Sequence, residues 1–143
     1  MSEQTIQNDI LGELVWNSKL KWWSSQVEIT PGNIVNVSVD NDDKDITAAI
    51  EIACHSFTRI QEQEINLRRF AANQLLELYN EYWNNGDVID CLSFMELIKL
   101  AAVVINTDGS TDIFYDDGEL FGGHTIIVSI DCHGAFKEAQ IAG

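Results

Sequence analysis

The run Ala101–Ile130, AAVVINTDGSTDIFYDDGELFGGHTIIVSI, decides the fold, because it divides into three strand-like segments at two turn signals. The first segment, Ala101 to Thr107, stops at Asp108-Gly109, a pair that supplies positive φ at hairpin turns. The second, Thr111 to Tyr115, stops at Asp116-Asp117-Gly118. The third, Thr125 to Ile130, alternates, with Ile126, Val128 and Ile130 on one face and Thr125, Ile127 and Ser129 on the other. Between the second and third lies the loop Glu119-Leu120-Phe121-Gly122-Gly123-His124.

A similar pattern opens the chain. Gly12 to Trp16 is strand-like, Asn17-Ser18-Lys19 is a turn, and a second strand follows from about Lys21 to Ile29. In that strand Trp23, Val27 and Ile29 share the face expected to be buried, while Trp22, Ser24, Gln26 and Glu28 share the other. Pro31-Gly32-Asn33 makes the next turn, and Ile34 to Val39 places Val35, Val37 and Val39 inward. Residues 1–9 read as a frayed lead-in to one domain covering 1–143.

The middle of the chain is helical. Asp40, Asp42, Asp43 and Asp45 form an acidic entry that favours the positive end of a helix dipole. Ile46, Ile50, Ala53, Phe57 and Ile60 then recur at helical spacing, followed by a stripe of Leu67, Phe70, Ala71, Leu75, Leu78 and Tyr82. A single helix over both stripes is about 55 Å long, more than the ~35–40 Å diameter of a compact domain of this size. A break near Gln61 to Ile65 is therefore expected, giving two helices. Asn84-Asn85-Gly86-Asp87 stops the second, and Ser93-Phe94-Met95-Glu96 fits a capping box opening a third that carries Phe94, Leu97 and Ile98 inward. The tail after Ile130 holds Phe136, Ala139 and Ile141, too few apolar residues to assign. The expected class is α+β, in the order βββ-ααα-βββ. Antiparallel meanders at both ends flank a helical middle, the helices pack on one face of the sheet, and no βαβ crossover is expected.

The net charge of −15, from 23 acidic and 8 basic residues, restricts function. It repels nucleic-acid phosphates and anionic membrane surfaces, and it favours fast, salt-sensitive encounter with a basic protein. Cys54, Cys91 and Cys132 match no disulfide framework or zinc spacing and read as free thiols of a cytoplasmic protein. The N-terminus MSEQTIQND lacks the apolar core of a signal peptide, and no apolar run is long enough to span a bilayer.

Asp116, Asp117 and His124, with Gly122 and Gly123 between them, are the loop candidates for metal binding or proton transfer. Their spacing matches no metal motif, so no metal or other cofactor is expected, and the same residues also suit a plain turn. No nucleophile elbow and no phosphate-binding lysine accompanies a glycine loop, which leaves no assigned catalytic residue. Asp40, Asp42, Asp43 and Asp45 are the candidate binding residues for a basic partner, with Trp22 and Tyr115 as candidate surface anchors. Three readings stand: a binding module of the inhibitor or immunity type for a basic protein, a small metal-dependent or acid–base enzyme using the Asp116–His124 loop, and a structural or housekeeping oligomer.

Leu11 to Trp16, the acidic helix entry, the segment Tyr115 to Val128 and the ending Ala135 to Gly143 resemble the uncharacterised bacterial family catalogued as domain of unknown function 2262. The resemblance implies a bacterial, single-domain, intracellular α+β protein and brings no activity, ligand or catalytic residue with it.

Overall fold

The computed structural model describes residues 4–41, 45–84 and 86–142. Eight strands occur among them: β1 (Thr5–Asn8), β2 (Gly12–Asn17), β3 (Trp22–Thr30), β4 (Asn33–Asp40), β5 (Lys99–Ile105), β6 (Thr111–Asp116), β7 (Thr125–Ile130) and β8 (Phe136–Ala142). Between β4 and β5 lie helix α1 (Ile46–Leu78), a π-helical turn (Tyr79–Trp83) and helix α2 (Cys91–Leu97). The α+β class is as expected. The lead-in contains a strand, because Thr5 to Asn8 pairs with Gly12 to Val15, and the tail forms β8 against β7.

All eight strands form one sheet in chain order. Neighbours are antiparallel except β4 and β5, which run parallel with Asn36 opposite Ala102 and Val39 opposite Ile105. The antiparallel meanders expected at both ends are present, with four strands each in place of three, but the expectation of no crossover is overturned. The whole helical middle is itself the crossover, since a parallel pair requires a long connection that returns the chain to the starting end of the sheet.

The inner face follows from register. Val37 lies opposite Val103, Val103 opposite Ile113, and Ile113 opposite Val128, and all four are buried. A bulge between Leu100 and Ala102 resets the alternation, so Leu100 and Val103 both point inward although they are three apart. Against this face α1 sets Ala49, Ala53, Phe57, Ile60, Leu67, Ala71 and Leu75. The small alanines let the helix sit close to the strands, and each large side chain stabilises the fold by about 1.5–3 kcal/mol through burial.

Helix α1 is continuous over 33 residues, with no break at Gln61 to Ile65. The diameter argument assumes a rounded domain, whereas this one is a single wide sheet with a helix laid across it. Cys54 reaches Asn8 at the end of β1, the Gln61 amide donates to the Ile29 carbonyl, and Phe70 packs on Phe136 of β8. Both edges of the sheet therefore meet the one helix. α2 turns back beside its C-terminal half, where the Arg68 guanidinium donates 2.8 Å bonds to the carbonyls of Met95 and Ile98. Its cap is Asp90, which accepts from the Ser93 amide at 2.8 Å, so Ser93 is the third residue of the helix motif rather than its cap. No helix among the described residues is long and apolar enough to cross a membrane.

Candidate functional site

The Asp116–His124 loop is held from within. Asp117 is 1% exposed, and its carboxylate accepts from the Glu119 amide at 2.9 Å, the Phe121 amide at 2.9 Å and the Gly123 amide at 3.1 Å. Asp116 accepts from the Gly118 amide, and His124 Nδ1 is bonded to the Phe121 carbonyl. Gly118, Gly122 and Gly123 all take positive φ, as does Glu119. Phe121, fully buried, is the product of this wrapping. Its ring meets Tyr79, Trp83 and Phe94 edge-on. Among the described residues no three His, Cys, Asp or Glu side chains are grouped to hold a metal.

Tyr115 is not a surface anchor. It is fully buried on the inner face, and its hydroxyl donates to Glu64 of α1 at 3.1 Å. Glu64 is ion-paired with Arg68 at 3.0 Å, and the Arg68 guanidinium stands 5.7 Å from the Tyr115 ring centre. Alternation did place Tyr115 with Ile113, but this is the face covered by α1. Burial, reinforced by the Glu64 charge, pushes the Tyr115 phenol far above its ordinary value. A raised folded-state pKa favours the neutral form, so this stability is present below about pH 10 and is lost as pH rises beyond it. Alkaline titration followed by tyrosinate absorbance and circular dichroism should show one phenol ionising only as the protein unfolds. Tyr115→Phe should remove that step, and a Tyr115 signal titrating in the folded protein would contradict the assignment.

The acidic entry divides by role. Asp45 caps α1, accepting from the Thr47 amide at 2.7 Å. Asp40 closes β4 directly opposite Trp22 of β3. Asp42 and Asp43 lie outside the described residues. Trp22 is partly buried in an open groove of about 670 Å³ on the face of β2–β4 turned away from the β3 core residues Trp23 and Ile29.

The exposed apolar side chains concentrate elsewhere. Leu78, Tyr82, Trp83, Val88, Leu92 and Leu97 are all exposed, led by Tyr82 at 75% and Val88 at 72%. The others, Ile10, Leu20, Ile34 and Ile65, are scattered over four different segments. The helical stripe had assigned Leu78 and Tyr82 to the core, and Leu97 was expected inward. The π-turn accounts for Tyr82, because its wider winding shifts the helical phase and turns Tyr79 and Trp83 toward Phe121 instead.

The surface is built on fixed elements. The Asn80 side chain brackets Ile89, accepting from its amide at 3.0 Å and donating to its carbonyl at 3.1 Å, which ties the connecting loop to the π-turn. Trp83 rests on Phe121 and against the His124 ring, 5.6 Å between centres. The Asp116–His124 loop thus supports this surface from beneath. Its charge is one-signed: residues 77–97 contain Glu77, Glu81, Asp87, Asp90 and Glu96 and no lysine or arginine. The bond from the Ser93 amide holds the Asp90 carboxyl below its usual range and so keeps it ionised. The sequence carried a signal for this surface, since apolar pairs at Leu78/Tyr82 and Val88/Leu92 flank a stretch free of cations.

A family model described as an uncharacterized protein conserved in bacteria (DUF2262) matches residues 8–141. The chain belongs to this family. No curated protein and no solved structure matched it. The matched residues run from the end of β1 into β8 and include both helices.

Proposed function

We propose that this family member is a small acidic binding protein, of the inhibitor or immunity type, that engages a basic protein partner. The observation that carries the reading is the surface of Leu78, Tyr82, Trp83, Val88 and Leu92, apolar and exposed within a stretch whose only charges are carboxylates. Aromatic and aliphatic anchors supply desolvated contact area, and a ring of one charge selects the opposite one. A second copy of the chain is disfavoured as the occupant, because it sets the carboxylates of this stretch against their own copies in a protein of net charge −15. The enzyme alternative is weaker here, since the buried carboxylate of its loop already accepts three backbone amides.

The test compares the wild-type chain with a Tyr82→Ser/Leu92→Ser double variant, both immobilised and offered a bacterial lysate. The expected result is a basic protein retained by the wild type and lost by the variant. Its association should slow several-fold between low salt and ~0.5 M salt, as surface charges become screened. Neutralising Glu81 and Asp87 should lower the on-rate, and Tyr82→Ser should chiefly raise the off-rate. Identical retention by both proteins, a neutral or acidic partner, or salt-independent binding overturns the reading.

A further inference from the structure

The groove over β2–β4 has a different chemistry from the rest of the molecule. Its walls carry Trp22 and Leu20 as apolar surface and Ser24, Gln26, Asn36 and Ser38 as polar groups. One carboxylate, Glu13, lines it, and no lysine or arginine does. In a chain of net charge −15 this is a nearly uncharged recess. At about 670 Å³ it falls within the size range of small-ligand sites.

The floor limits what a ligand can bond to. β3 and β4 are interior strands, with Trp22 to Ser24 laddered to β2 on one side and Trp22 to Glu28 to β4 on the other. Over Trp22 to Ser24 the backbone is paired on both sides, and along the rest of the floor the side chains add to whatever backbone groups β2 leaves uncovered. Serine hydroxyls and the amides of Gln26 and Asn36 each donate and accept. Gln26 and Asn36 already share a 3.2 Å bond across the strand pair, which orients both and leaves each with further valence.

Each charge class is disfavoured on these terms. An anionic ligand meets no cation in the groove and the repulsion of the whole chain. A cationic one finds a single carboxylate, far fewer than on the surface around the π-turn. A wholly apolar ligand gains contact with Trp22 and Leu20 but leaves the hydroxyls and amides of the walls unused. We infer that the groove binds an uncharged polyhydroxylated ligand of the oligosaccharide class. The apolar face of a sugar ring covers the Trp22 indole, while its hydroxyls exchange hydrogen bonds with Ser24, Ser38, Gln26 and Asn36. This site is separate from the protein-binding surface proposed above and does not depend on it.

The experiment follows the indole N–H signals of ¹⁵N-labelled full-length protein by NMR, with Trp22 assigned from a Trp22→Phe variant. The probes are neutral linear pentasaccharides: maltopentaose, cellopentaose, mannopentaose and N-acetylated chitopentaose. At least one should shift the Trp22 signal saturably, with a Kd of about 1 mM or below. Trp22→Ala should weaken that binding by ~10-fold or more, read on the Ser24 and Ser38 amides, and Ser24→Ala/Ser38→Ala should weaken it severalfold with the fold retained. Tyr82→Ser/Leu92→Ser should leave it unchanged. The inference is overturned if none of the four sugars moves Trp22 at about 10 mM, if binding survives Trp22→Ala, or if a glucuronate oligomer or a lysine-rich peptide shifts Trp22 in their place.

Discussion

Asp117→Ala should lower stability by about 3–5 kcal/mol, a loss large enough to dominate any survey of the Asp116–His124 loop. The carboxylate is the common acceptor for the amides of Glu119, Phe121 and Gly123, and it lies 1% exposed. Truncation leaves three donors without their acceptor, two of them served by one oxygen. The wrapping they maintain presents Phe121 to Tyr79, Trp83 and Phe94, so its loss also loosens the junction between the π-turn and α2. Asp117→Asn keeps one acceptor oxygen in place of two and should cost roughly half as much. Urea or thermal denaturation measures both, with an expected drop in Tm of about 8–15 °C for the alanine variant. A loss below ~1 kcal/mol would mean that solvent readily replaces the carboxylate, and would reopen the loop as a flexible site.

Gly118→Ala should be nearly as damaging, at about 3 kcal/mol or more. Its φ is +59°, a conformation that L side chains rarely adopt, and an added Cβ would collide with the Leu97 carbonyl oxygen, with the carbonyl carbon 3.0 Å away. That oxygen is backbone at the end of α2 and cannot rotate aside. Gly122 gives the internal comparison: its φ is +71°, but nothing lies within 4 Å of the added methyl, so Gly122→Ala should cost only the ~1–2 kcal/mol of the left-handed conformation. Gly123, whose added Cβ would make an ordinary 3.9 Å contact with Glu119, should behave likewise. Equal losses at 118 and 122 would show that conformation alone, rather than the approach of α2, sets the requirement.

These two positions illustrate how far the sequence could be read. Asp116-Asp117-Gly118 is plain turn chemistry, and the strands on either side alternate, so the hairpins and the grouping of their residues by face were legible. The demand on Gly118 was not, because it arises from Leu97, distant along the chain and close only after α2 has docked. The double glycine 122–123 looked more significant and is the less crowded. β1 and β8 escaped notice for a related reason. They are the sheet edges, short or polar, with their pairing rather than their composition defining them as strands. Tyr115 shows the limit of period-two reasoning, which groups residues by face without saying which face a helix will cover. For the exposed surface the apolar pairs in a cation-free stretch were visible, but the outward turn of Tyr82 was not, because the π-turn shifts the helical phase without a mark in apolar periodicity.

The parallel seam between β4 and β5 also governs how the chain reaches this state. Each four-strand half consists of adjacent hairpins, whose partners are close in sequence and which form in microseconds. The seam brings Asn36 to Ala102 and Val39 to Ile105, contacts that require closing the loop formed by the entire helical segment. Closure of that length carries its entropy cost before any compensating contact exists. The seam is thus expected to be the late, rate-setting event of folding, with α1, whose side chains meet both halves in the folded protein, as the element that joins them. Until then each half presents an unpaired edge, β4 on one and β5 on the other, and those edges are open to pairing with another molecule. The heavy negative charge on the same chain keeps two such half-formed molecules apart.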